Sequence, residues 1–300
     1  MTELTWISSA SASALYAAAM LARGVPLIDA RWEQALAEAV RNLTTLLTAH
    51  SISLEAFFDH VVPLTTFSEN QRELAGNIAR RATGQRPTEE FVSELAAAIL
   101  VIEKIGGQQV PNTVAEIDLR SRLLREQWES RGPGLLAAIS RATAAELQVP
   151  HANVLAVLPI TGGGGQVYLP YDSLSIETML ANPHAELPEV VRLGWLIAAL
   201  PMGQPRFCQS VSAARLPRLA GLSLLPAALE AAEYVELARS DPLSWKLAID
   251  AWRLAEPERT EHAAQLVETL ADWWRTFRQS PTSWAVALTA LDRMLAAEQL

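Results

Sequence analysis

Tyr171, Asp172, Glu177, His184 and Arg192 follow four consecutive glycines, 162–165, in a stretch that otherwise reads as apolar. A carboxylate and an imidazole can ligate a metal, and Arg192 could contact a substrate, although a structural pairing is the stronger expectation for it. These five are the candidate ligand-binding residues. A metal site normally needs three or four ligands with a second shell behind them. Glu177, His184 and Glu186 converge only if Pro183 breaks the helix between them, so they read as solvated helix-end residues, and neither a metal nor a cofactor is expected. The helical zinc motif H-E-x-x-H is absent.

Other chemistries fail on spacing. A phosphate-binding loop has the pattern G-x-x-x-x-G-K-[ST] and feeds a helix. Here Gly165 leads into Gln166, Val167 and Tyr168, which read as a strand, and no lysine follows. Cys208 has no histidine near it in sequence and reads as an inert, partly buried thiol. Ser173 and Ser175 lack the tight G-x-S-x-G elbow. No catalytic residue is specified. Glu189 and Arg192, three apart on the apolar segment VVRLGWLIAAL, can pair on one helix face. Arg192 is expected to reach back to the preceding carboxylates and pin the glycine segment to the core, because a charge on a buried helix must find a partner.

The elements that must position these residues are mostly helical. An Ala-rich helix spans residues 8–23 and stops at Gly24 and Pro26. Asp29 caps the next, which carries Trp32, Leu36, Val40, Leu43 and Leu47 on one stripe. A short helix covers 54–61 and ends ahead of Pro63. Ser68 with Gln71, and Thr113 with Glu116, make capping boxes, and Thr88 caps the helix closed by Gly106 and Gly107. Gly132-Pro133-Gly134 predicts a break before a further helix over 135–147. No strand is expected in this half.

At 154–160 the period changes to a β-branched apolar run, and 167–171 supplies a second. Joined by the glycines, they predict a β-hairpin, with Asp172 or Ser173 capping a short helix over 175–181. The last third is helical and aligns with itself at a 39-residue shift, pairing Pro242 with Pro281 and Trp245 with Trp284. Similar caps and a shared tryptophan anchor explain that match, against a stacked-hairpin repeat. The predicted architecture is mainly α: a multi-helix bundle or irregular α-solenoid-like array with one small central β-hairpin. It divides into an N-terminal helical subdomain (1–147), a hairpin with a central buried helix (148–215) and a C-terminal helical subdomain (216–300).

Composition narrows the partners. Half of the 300 residues are apolar and 19% are charged, enough for a large core. The net charge of -9 disfavours nucleic acid. Of 24 basic residues only Lys104 and Lys246 are lysine, a bias read as GC-rich, bacterial coding. One cysteine excludes an intrachain disulfide, and no apolar run approaches the length of a membrane span, so a soluble cytoplasmic protein is expected. The leading function is a non-enzymatic helical interaction or assembly protein, as a homodimer or with another protein. A hydrolase with its site below the glycine-rich tip, and a small-ligand binder in a cleft between the helical halves, are the alternatives.

Overall fold

Strand β1 (Glu3–Ser8) occupies a stretch where the sequence predicts no strand. The computed structural model describes residues 2–144, 147–209, 211–212, 215–254 and 262–298 of the protein; the side chain of Cys208 lies outside the described part. β1 pairs in parallel with β2 (His151–Val157), register Glu3↔His151 to Ser8↔Ala156. Two further strands, β3 (Gly165–Tyr168) and β4 (Ser173–Glu177), complete a sheet of order β1-β2-β4-β3.

The expected hairpin between the runs at 154–160 and 167–171 does not form. A single 3-10 turn, Leu169–Tyr171, with Asp172 in the left-handed region (φ 45°), reverses the chain directly after β3. β3 therefore pairs antiparallel with β4, and β4 enters between β3 and β2, parallel to β2. The glycines cross from β2 over β4 to the sheet edge instead of forming a hairpin tip. The expected helix over 175–181 does not form: β4 runs to Glu177 and the chain from 178 to 181 is irregular. Its alternation explains why: Leu174 and Ile176 pack in one core, and Ser173, Ser175 and Glu177 are buried on the opposite face.

Helices cover both faces. α1 (Ala10–Ala22), α2 (Ala30–Ala49), α3 (Leu54–Leu64), α4 (Gln71–Thr83) and α5 (Glu89–Gln109) share a core with Leu155, Val157 and Tyr168. α6 (Thr113–Ala142), α7 (Glu189–Ala199), α8 (Pro205–Cys208), α9 (Leu216–Tyr234), α10 (Pro242–Ala251), α11 (His262–Gln279) and α12 (Trp284–Ala297) build the second core with Ala152, Val154, Leu174 and Ile176. The chain is thus mainly helical around one small central sheet. Among the described residues no helix is long and apolar enough to cross a membrane.

Local signals set most helix starts. Asp29 accepts from Arg31 N at 2.9 Å, Thr88 from Phe91 N at 3.3 Å and Ser53 from Ala56 N at 3.1 Å. The expected stripe of Trp32, Leu36, Val40, Leu43 and Leu47 is buried. α4 is capped by Asn70 rather than Ser68. α5 continues through Gly106 and Gly107, and α6 runs unbroken through Gly132-Pro133-Gly134. Pro133 is exposed, so the helix carbonyl it leaves without a donor can face water. Gly132 leaves room for the Trp128 ring, which a Cβ there would approach to 2.4 Å.

Candidate functional site

The glycine segment is held by its own chain. Glu177, at the end of β4, is completely buried. Its Oε1 accepts from the Thr161 amide and hydroxyl, both at 2.7 Å, and its Oε2 from the amides of Gly162 (2.9 Å) and Gly163 (2.8 Å). Successive amides turned towards one anion make a backbone nest. Gly162 (φ 90°) and Gly163 (φ 122°) adopt the left-handed geometry that bends the chain around the carboxylate. Gly164 has another constraint: a Cβ there would lie 2.5 Å from Thr161 Oγ1 and 2.6 Å from the Tyr16 hydroxyl. Burial and the adjacent Glu177 carboxylate push the Tyr16 phenol well above its usual pKa, so it remains a neutral donor.

Arg192, 1% exposed on α7, fastens the other side. Its Nη1 donates to Gly164 O and its Nη2 to Glu177 O, both at 2.7 Å, and Nη2 also meets the Glu189 carboxylate. Burial raises the Glu189 pKa against the pull of the Arg192 charge. Arg192 thus bridges the glycines, the end of β4 and the start of α7, reaching the backbone of residue 177 where sequence reasoning expects its carboxylate.

The other candidate residues lie elsewhere. Tyr171 and Asp172 sit at the opposite end of β4, in the turn after β3. Tyr171 Oη is 2.7 Å from His60 Nδ1, and the Arg81 guanidinium lies 5.2 Å from the Tyr171 ring centroid. Burial, then the Arg81 charge, lower the His60 pKa. His184 is half-buried, and its amide donates to Asn182 Oδ1 at 3.2 Å. The structure therefore brings Glu177 and Arg192 together and leaves Tyr171 and Asp172 at the other end of β4, and no side-chain contact of His184 with Glu177 or Arg192 is found among the described residues. Among the described residues, no group of three or more His, Cys, Asp or Glu side chains is placed to hold a metal ion.

A cleft of about 380 Å³ opens where β3 meets α7, α9 and the end of α10. The Trp195 and Trp252 rings stack there, centroids 4.8 Å apart and planes inclined by 24°. Trp195 Nε1 donates to Gly221 O at 2.8 Å; a Cβ on Gly221 would come within 3.0 Å of that ring. Arg253, in the left-handed region at φ 56°, donates from Nη2 to Thr161 O at 2.9 Å. Opposite, Arg23 Nη1 donates to Gln166 Oε1 at 2.6 Å while Gln166 Nε2 donates to Asp59 Oδ1 at 2.9 Å, so both ends of the Gln166 amide are fixed. Burial raises the Asp59 pKa, opposed by the Arg23 charge. With Arg218 on the rim, three arginines and no Asp or Glu line the cleft among the described residues.

The chain matches no protein family, curated protein or solved structure. A larger hollow of about 830 Å³ lies beside α10, but it mixes Glu186, Glu236 and Asp241 with Arg239 and so favours no single sign of ligand. Among the described residues the charged side chains of the Trp195–Trp252 cleft are all basic, and its wall includes the stacked tryptophans, which are 5% and 7% exposed. Sequence reasoning missed it because its residues are scattered from Arg23 to Leu254, and the only local hint was a tryptophan on the central apolar helix.

Proposed function

We propose that the protein is a non-enzymatic binding protein whose cleft takes an anionic ligand with a flat or apolar body. The observation that carries this reading is the stacked Trp195–Trp252 pair beside Arg23, Arg218 and Arg253, with no acidic lining residue among the described residues, in a chain of net charge -9. A cavity of this size is in the range of small-ligand sites, which combine apolar walls with a few convergent polar groups. Guanidinium groups pair with carboxylate, sulfonate or phosphate oxygens, and indole faces receive planar or aliphatic groups. The hydrolase reading loses support because Glu177 already occupies the amides below the glycines.

The test is a fluorescence titration with anilinonaphthalene sulfonate, a flat aromatic body bearing one anion. Saturable binding is expected, weakened about tenfold or more by Trp252→Ala and by Arg253→Gln, since one charge-assisted hydrogen bond corresponds to about that factor. Absence of saturable binding, or binding indifferent to both substitutions, overturns the proposal.

A second reading, assembly with another copy of the chain, is favoured by Leu119 and Leu123, one turn apart on α6 and 62% and 52% exposed. Either activity suits a cytoplasmic protein with a single cysteine.

A further inference from the structure

Resting on that reading of the cleft, we infer that its occupant is an extended acidic peptide segment that pairs with the free edge of β3 as a fifth strand. Among the described residues the sheet order leaves β3 bonded on one side, to β4. In an antiparallel pair, residues alternate between those bonded to the partner strand and those whose amide and carbonyl point away from it. Glu177 N donates to Gly164 O at 3.1 Å, and with the register Gly165↔Ile176 this makes 164, 166 and 168 the bonded positions. Gly165 and Val167 therefore present two N–H and two C=O groups away from β4. No hydrogen bond to these four groups is found among the described residues.

Both residues line the cleft. The floor of the aromatic and basic site is thus a strand edge, the geometry that receives a peptide by strand addition. The missing side chain of Gly165 makes room for Leu196 of α7, whose Cδ1 a Cβ there would approach to 2.8 Å. Alternate side chains of an added strand point to opposite faces, so one set can meet Trp252 and another the arginines. Charge selects the partner: among the described residues Arg253 donates to the Thr161 carbonyl and to no carboxylate, Arg23 shares its charge with Asp59 at 3.5 Å, and no lining residue is acidic. Backbone pairing along the edge distinguishes a peptide from a flat anion that uses the Trp pair and the guanidinium groups alone.

The experiment selects binders from displayed random octapeptides on the full-length protein, with Val167→Pro as the counter-target. Proline removes one outward N–H and leaves the bonds of residues 166 and 168 to β4 intact. Melting temperature and anilinonaphthalene sulfonate binding confirm that this variant is folded with its cleft open. Enriched peptides are expected to carry Asp or Glu, to compete with the dye, and to bind Val167→Pro about tenfold more weakly or worse. Methylating single peptide nitrogens should weaken binding to the unaltered protein at alternate positions only, about tenfold each. If the dye binds in the cleft but no peptide is enriched, or methylation acts without alternation, the strand-addition inference falls and the cleft reading stands. If neither dye nor peptide binds, both fall.

Discussion

At the scale of single residues, the buried charges hold the centre of the molecule together. Arg192 joins Gly164, Glu177 and Glu189, which lie on three separate segments, and Glu177 satisfies three amides and one hydroxyl. Removing one partner of a buried pair leaves the others desolvated and unmatched, which costs about 3–5 kcal/mol. Arg192→Met is expected to destabilise the protein by that amount, read as a lower urea midpoint. Glu177→Gln places an NH2 against amides that need an acceptor, and a loss on the order of 1–3 kcal/mol follows. Dye binding in the cleft should persist in either variant under conditions where it remains folded. A midpoint unmoved by Arg192→Met would mean the clamp contributes nothing to stability. The pairing of Glu189 with Arg192 was legible from their spacing on an apolar helix; the nest was not, because it joins residues from two strand ends through backbone amides.

At the scale of elements, propensity and capping located most helices, and close approaches decided how they pack. α1 and α5 cross with Gly106 against Ala14, where a Cβ on Gly106 would sit 2.5 Å from the Ala14 Cβ. Neither group can swing away, so Gly106→Ala should force the helices apart and cost about 1–3 kcal/mol, despite alanine's higher helix propensity. Thermal melting checks this, and a stabilised variant would show that the crossing is looser than its geometry. The same reasoning explains why glycine failed as a stop signal at 106–107 and 132–134. Gly106 and Gly132 are there for the room a missing Cβ leaves, whereas Gly84, at φ 67°, ends α4 in the left-handed conformation. The predicted hairpin failed for a related reason. Glycines at 162 and 163 look like a tight turn, but their positive φ values wrap the backbone around Glu177 while the reversal occurs at 169–172.

At the scale of the whole molecule, the sheet separates two cores, and its closure depends on a contact between residues nearly 150 positions apart. β1 covers one edge of β2, and Leu4 and Trp6 pack on the core shared with α6, α7 and α9. Such pairing repays its loop-closure entropy only after both cores have assembled. Deleting residues 2–8 should therefore abolish the slow hydrogen exchange of the β2 amides and broaden unfolding, measured by exchange mass spectrometry and circular dichroism. Unchanged protection in β2 would show that β1 is an ornament on a sheet stable without it.

The amino-acid sequence by itself determined the helical class, most helix starts, the stripe of α2, the buried status of α7 and the need of Arg192 for partners. Each is a local matter of periodicity, capping or the cost of burying a charge. Tertiary structure alone decided the strand order, the filling of the glycine nest by Glu177, and the meeting of Trp195 with Trp252 and of Arg23 with Gln166 beside an open strand edge. Those outcomes depend on which distant segments share a face once the cores close, and neighbouring residues carry no record of that choice.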